Sequence, residues 1–267
     1  MNKDLKKVAI VTGASSGIGF CTAKLLAENG YSVFGLANNE FSTDLFNYQI
    51  CDVTNTKKID DIISKIFQSE GQIDLLVNCA GIGISGSVEN TPNEKMQKIF
   101  DINFFGVVNM CKSVLPYMRQ NKRGHIINIS SVAGELPIPF QSFYSATKSA
   151  LQSLSTALMM EVKPFGIKVA CVLPGDTKTG FTASREKNLI DDASYGNRIN
   201  KSIATMEKDE QNGMSPESVA KVICKIANRK NPKMLNVVGF KYKFFVFLSK
   251  ILPNKITNKL LFNLYAK

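Results

Sequence analysis

Short apolar runs rich in β-branched residues alternate with longer segments of helical periodicity along most of the chain. Residues 7–12, 32–37, 47–52, 73–80, 125–130, 167–173 and 235–238 predict strands. Residues 18–29, 56–70, 93–118, 143–163 and 216–229 predict the helices between them. Several strand runs are apolar throughout rather than alternating, which requires cover on both faces of the sheet. Strands joined through helices imply an α/β, doubly wound, mostly parallel seven-stranded sheet. No Pro/Gly/Ser-rich linker interrupts the alternation, so residues 1–239 are expected to form one domain. Residues 176–208 break the pattern; a polar, mixed stretch of that length in a compact domain reads as a substrate lid. Residues 240–267 form a C-terminal extension in which Phe244, Phe247, Leu248, Ile251 and Leu252 recur at spacings of three and four. Ile256, Leu260, Leu261 and Leu264 continue the series, and Pro253 should divide it into two short helices.

Composition narrows the function classes. The 267 residues are 44% hydrophobic and 21% charged, which excludes a disordered chain. No apolar run approaches the ~20 residues of a membrane span. Residues 1–7 lead directly into the first strand without the apolar core of a secretion signal, so the expected compartment is the cytoplasm. Cysteines at 21, 51, 79, 111, 171 and 224 have no C-x-x-C spacing, which fits reduced thiols and no metal site. The single histidine, His125, follows Gly124 at the mouth of a strand, a poor position for a hydrolase triad or a metal centre. The net charge is +11, and six lysines with no acidic residue fall within 240–267. No RNA-binding or recognition-helix motif accompanies this charge, so no nucleic-acid partner is expected. The extension would either fold back over a cleft with its lysines reaching water, or touch a membrane surface.

The first strand runs into Thr12-Gly13-Ala14-Ser15-Ser16-Gly17-Ile18-Gly19, followed by a helix. Glycines there allow a tight turn and close approach of a pyrophosphate to free backbone N–H groups at the helix start. The spacing T-G-x-x-x-G-x-G resembles the cofactor signature of the short-chain dehydrogenase/reductase family, which has a Rossmann fold. Further motifs follow in the family's order. Asp74–Gly81 is similar to its N-N-A-G strand, with Cys79 in place of the second Asn. Asp101-Ile102-Asn103 resembles the segment with its catalytic Asn, and Gly124–Gly134 the strand with its catalytic Ser, here Ser131. Tyr144 and Lys148 match its Y-x-x-x-K, and Pro174-Gly175 with Thr179 its P-G-x-x-x-T.

The resemblance implies an NAD(P)(H)-dependent alcohol dehydrogenase or ketoreductase. Catalytic residues would be Asn103, Ser131, Tyr144 and Lys148. Cofactor contacts would come from Gly13, Ser15, Ser16, Gly17, Ile18, Gly19, Asn38, Asp52, Val53, Asn78, Ala80, Gly81, Pro174, Gly175, Thr177 and Thr179, with Tyr144 and Lys148. Tyr144 would transfer the proton, its pKa lowered by Lys148 and the oxidised nicotinamide. Ser131 would bond the substrate oxygen, and Asn103 would hold a water between Lys148 and solvent. Where NAD-preferring relatives place an acid, this chain has Asn38-Asn39, which favours NADP(H) over NAD(H). By resemblance, helices 93–118 and 143–163 would form a homodimer or homotetramer interface, with Leu151, Leu154, Leu158 and Val162 as a candidate stripe.

The long C-terminal part, rich in Phe, Leu and Ile, suits a bulky apolar alcohol or ketone, and is similar to hydroxysteroid and retinol-type dehydrogenases. Arg185, Lys187, Arg198 and Lys201 in the lid would meet an acid group such as a bile acid's, but read better as solvated charges. Two alternatives stand beside a hydroxysteroid or bile-acid enzyme: a non-catalytic nucleotide-binding regulatory module, and a membrane-surface reductase of lipid-like carbonyls.

Overall fold

A computed structural model describes residues 6–188 and 194–267. Residues 1–5 and 189–193, parts of the leader and lid expectations, lie outside the described residues. In chain order the elements are β1 (Val8–Thr12), α1 (Gly17–Glu28), β2 (Ser32–Ala37), β3 (Asn47–Ile50), α2 (Thr56–Glu70), β4 (Leu75–Asn78) and β5 (Ile84–Ser85). Next come α3 (Asn93–Phe100), a π-helical turn Asp101–Phe105, α4 (Gly106–Gln120), β6 (Gly124–Ile129), α5 (Ser142–Val162) and β7 (Ile167–Pro174). The remainder is α6 (Phe181–Ser184), β8 (Glu186–Lys187), α7 (Arg198–Gln211), α8 (Pro216–Ala227), β9 (Leu235–Val238), α9 (Phe240–Ile251) and α10 (Asn254–Tyr265).

Seven parallel strands pair in the order β3-β2-β1-β4-β6-β7-β9. Strand alternation sorts the core into two layers. Val8 and Ile10 face α2, α4 and α5 through Ile59, Ile63, Met110, Val114 and Leu151. Ala9 and Val11 face α1 and α8 through Ala23, Leu26, Val219 and Ile223. Chain order reverses at β1, with β2 on one side and β4 on the other. In an open parallel sheet this reversal leaves a crevice beyond the strand C-termini, where ligands bind.

The predicted helix 93–118 is interrupted. Asp101–Phe105 form a π turn between α3 and α4, which leaves Asn103 fully buried. The lid is more regular than its polarity suggests: α7 buries Ile199, Ser202, Ile203 and Met206, a helical series, against Phe140. The stripe Leu151, Leu158 and Val162 lies in the core layer beneath the sheet, with Leu154 packed against it. Leu151, Leu158 and Val162 are therefore taken up in covering this apolar sheet.

Candidate active site

The turn after β1 leaves no room for a side chain at Gly13 or Gly19. A Cβ on Gly13 would stand 2.9 Å from the Ala80 nitrogen, and one on Gly19 would stand 2.1 Å from the Gly13 oxygen. Thr12 Oγ1 accepts from the Cys79 and Ala80 amides, both at 3.1 Å, and ties this turn to the end of β4. Ser16 is the N-cap of α1 but makes no side-chain capping bond, and no acid occupies the first turn. The first amides of α1 are thus left for an anion from the crevice. These features fit a dinucleotide pyrophosphate.

A cavity of about 680 Å³ runs from this turn across the strand ends and under the C-terminal helices. Its wall includes Gly13, Ser15, Ser16, Gly17, Ile18 and Gly19 at one end, then Asn38, Asp52, Val53, Ala80 and Gly81. Ser131, Tyr144, Lys148, Pro174, Gly175, Thr177 and Thr179 line the middle. Asn38 and Asn39 stand where β2 ends, and Ser15 donates to the Asn39 side chain at 3.0 Å. The acid of this region, Asp52, is engaged with the Thr54 amide and hydroxyl, both at 2.8 Å.

Two sequence-predicted residues do not reach the wall. Asn78 is buried at the end of β4, its amide donating to Asn128 Oδ1 at 2.8 Å and to Cys111 Sγ at 3.7 Å. Strand alternation turns its side chain into the core, so its place is behind the cofactor turn rather than against the cofactor. Asn103 is clamped to Ile82, accepting from its amide at 2.8 Å and donating to its carbonyl at 2.9 Å. A Cβ on Gly81 would lie 3.2 Å from Asn103 Oδ1 and 3.7 Å from Lys148 Nζ, which places both polar groups beside Gly81.

Tyr144 and Lys148, one turn apart on α5, come together as helical spacing requires, with Nζ 5.6 Å from the ring centroid. Lys148 Nζ donates to the Ile129 carbonyl at 2.9 Å. Burial pushes the Lys148 ammonium down to about 8. Burial pushes the Tyr144 phenol up to about 12, against a hydrogen bond with Ser131 that lowers it. The expected depression of Tyr144 by Lys148 is not what the protein alone produces. Desolvation outweighs every neighbouring charge, and the free site holds a neutral phenol.

Of the four lid cations only Arg185 departs from the solvated reading; Lys187, Arg198 and Lys201 are exposed, as expected. Arg185 is not solvated: its side chain is 0% exposed and paired with Glu210. Lys187 pairs with Glu207 at 2.7 Å, and Arg198 Nε donates to the Ala266 carbonyl at 2.8 Å. None of these three belongs to the cavity wall, whereas Glu210 and Asp176 do.

The roof was the least legible part. Tyr242 of α9 lies across Gly175, where any Cβ would be 2.2 Å from its ring, and its hydroxyl donates to Asp176. Tyr265 of α10 donates to Asp209 at 3.2 Å. Phe245, Leu248, Leu252, Leu260, Leu261 and Leu264 then line the far end of the cavity. A dinucleotide turn and a Tyr-Lys pair thus share one crevice with an apolar extension, and the family model for short chain dehydrogenases matches residues 7–189. The chain belongs to the short-chain dehydrogenase family.

It is therefore an NAD(P)-dependent oxidoreductase acting on a small molecule. Among curated proteins it is 43% identical over 236 residues to a 3-ketodihydrosphingosine reductase of Bacteroides thetaiotaomicron, covering 87% of this chain and 88% of that one. It is 31% identical over 253 residues to a probable short-chain type dehydrogenase/reductase, VdlC, of Helicobacter pylori, covering 92% and 93%. Among solved structures, a short-chain dehydrogenase from Streptomyces avermitilis superposes with a TM-score of 0.83 at 28% identity, over 97% of this chain and 96% of that one. ElxO with NADP bound superposes with a TM-score of 0.74 at 28% identity, over 90% and 99%. Among the described residues no side-chain cluster suits a metal ion, and no helix is long and apolar enough to cross a membrane.

Proposed function

We propose that this short-chain dehydrogenase reduces a ketone on a long-chain lipid, of the 3-ketodihydrosphingosine class, to a secondary alcohol using NADPH. The observation that carries this reading is the apolar roof: Phe245, Leu248, Leu252, Leu260, Leu261 and Leu264 continue the cavity beyond Tyr144. Such a wall suits an alkyl chain, which gains free energy roughly in proportion to the apolar area it buries. The 43% identity to a 3-ketodihydrosphingosine reductase supports the same class over a hydroxysteroid or a bile acid.

In this reading the bound nicotinamide supplies the hydride to the carbonyl carbon. Tyr144 donates its phenolic proton to the carbonyl oxygen, and Ser131 donates a hydrogen bond to the same oxygen. The buried phenol carries its proton at neutral pH and so has one to donate. Lys148, held by the Ile129 carbonyl, stands beside the phenol to stabilise the phenolate left behind. Asn103 fixes the Ile82 backbone at the π turn and would hold a water in the path that returns a proton to Tyr144. Asn38 and Asn39 put no carboxylate beside the ribose, which supports NADP(H). A homo-oligomer through α4 and α5 remains part of the proposal. Its apolar contacts would be the exposed Phe105, Met160 and Phe165, not the stripe under the sheet.

The test is NADPH oxidation by the purified chain with dispersed 3-ketodihydrosphingosine, a 3-ketosteroid and a short aliphatic ketone, with product identified by mass. Turnover concentrated on the long-chain ketone is expected. Steroid turnover alone would overturn the substrate class, and no turnover on any ketone would favour a non-catalytic nucleotide-binding module.

A further inference from the structure

The roof helices also carry large apolar side chains that stay exposed to solvent. On α9, Phe240, Phe244, Phe247 and Ile251 recur at spacings of four, three and four and are 89, 54, 62 and 63% exposed. They point away from Tyr242 and Val246, which anchor the helix to the body. On α10, Ile256, Leu260 and Leu264 form an exposed row of their own at 46, 49 and 62%, and Leu260 and Leu264 also reach the cavity. So many large apolar side chains on one surface mark an interaction site.

Charge identifies what would cover it. Lys241, Lys243, Lys250, Lys255, Lys259 and Lys267 lie in these helices or at their end, and residues 240–267 contain no acid. On the α9 wheel, Lys243 and Lys250 flank the stripe on one side, while Lys241 lies over the Tyr242 and Phe245 rings at the cavity rim. Glu135 reaches Lys250 at 3.9 Å, an exposed and weak pair. Apolar side chains between unneutralised lysines match the boundary of an anionic bilayer, where the ring and alkyl groups enter the acyl region and the ammonium groups meet lipid phosphates. Each helix has twelve residues, about 18 Å, so it can lie in the interface but not cross it.

We propose that α9 and α10 form a docking surface for an anionic lipid bilayer. Phe245, Leu260 and Leu264 are at least 41% exposed and also line the cavity, so the docked face is continuous with the cavity rim. A docked molecule would open its active-site cavity towards the acyl region. The docking rests on the surface alone; only this consequence for substrate entry rests on the proposed long-chain substrate.

Sedimentation of the full chain with substrate-free vesicles tests it. Vesicles of phosphatidylcholine with a third phosphatidylglycerol should pull the protein down, and pure phosphatidylcholine should bind at least about tenfold more weakly. Raising salt should weaken binding to the anionic vesicles. The variant Phe240→Ser/Phe244→Ser/Phe247→Ser should lose roughly tenfold or more in partitioning while keeping turnover of a short soluble ketone. These side chains are exposed and outside the cavity wall, so folding should be retained, as checked by thermal melting. Lys243→Glu/Lys255→Glu should show the same loss without removing an apolar group. No binding to anionic vesicles at low salt would overturn the proposal. So would a wild-type dimer in light scattering that the triple serine variant dissolves, since the stripe would then belong to a second copy. Failure to reduce long-chain ketones would leave the vesicle result standing.

Discussion

Glu210→Gln should destabilise the lid more than any surface charge change, because it strips a buried guanidinium of its counter-ion. Arg185 is 4% exposed and its Nη2 is paired with Glu210 Oε1, while Nε and Nη1 have no partner among the described residues. Glu210 also accepts from Thr182 Oγ1 at 2.7 Å, so one carboxylate joins α6 to α7. Breaking a buried pair by removing one charge costs about 3–5 kcal/mol, most of it the stranded partner's desolvation. At about 2 °C per kcal/mol for a chain of this size, melting should fall by roughly 6–10 °C. The double change Arg185→Met/Glu210→Met removes both charges and should recover to within about 1–2 kcal/mol of the parent, Thr182 keeping an unmade bond. Differential scanning calorimetry on the two variants reads both values. A Glu210→Gln protein melting within about 1 °C of the parent would refute the claim that this pair is buried and that α7 depends on it. Activity gives a second readout. The Phe181 ring lies 5.7 Å from the Arg185 guanidinium and 5.6 Å from the Tyr144 ring, so loosening Arg185 should raise KM before it lowers stability in dilute denaturant.

Tyr144→Phe removes the proton donor and little else, so ketone reduction should fall about 10²–10⁴-fold while the dissociation constant for NADPH, read by fluorescence titration, stays nearly constant. Retention of more than about a tenth of the rate would show that another group donates the proton. Asn38→Asp should shift the kcat/KM ratio towards NADH by at least about tenfold, through repulsion of the 2′-phosphate. An unchanged ratio would remove Asn38 from the ribose. His125 is buried on β6, and burial lowers its pKa to about 4 from an unfolded value near 6.5. The unfolded chain therefore binds the extra proton between those values, so this stability is present above about pH 6.5 and is lost as pH falls towards 4. The loss should be about 3 kcal/mol in urea unfolding and absent from His125→Gln. An equal slope in both proteins would place the titration elsewhere.

The parallel sheet was legible because several of its strands are apolar on both faces, a pattern surface strands do not carry. The turn at Gly13–Gly19 and the pair Tyr144 and Lys148 were legible because their spacings are local: one turn of chain, or one turn of helix. What a spacing does not contain is the direction of a side chain at a strand end. Asn78 and Cys79 are neighbours, and only the register with Thr12 and Asn128 sends the asparagine inward. The π turn at Asn103 is five residues long, too short for a change of period to register within the helical run 93–118. Helix α7 did leave a mark in the periodicity: Ile199, Ile203 and Met206 have helical spacing within a polar stretch whose mean hydropathy hides them. The short pair of β5 with β8 spans two residues in each strand, too few for any alternation to register.

The extension posed a different difficulty. A helix with one apolar face has one partner to find, and its pattern names that face. Helix α9 has apolar or aromatic residues around most of its circumference, with Tyr242, Phe245, Val246 and Leu248 turned to the body or cavity and Phe240, Phe244, Phe247 and Ile251 turned out. Folding over the cleft and meeting a lipid surface were alternatives on the sequence, because periodicity counts apolar positions without dividing them between partners. The structure divides them. Tyr242 seated on Gly175 fixes the rotation of the helix, and that rotation leaves the outer four residues and their lysines together. A cover needed only to exclude water would carry polar residues on its outer face, where apolar groups add no stability to the body. The outer phenylalanines therefore call for a second apolar environment, and the lysines around them favour one bearing negative charge.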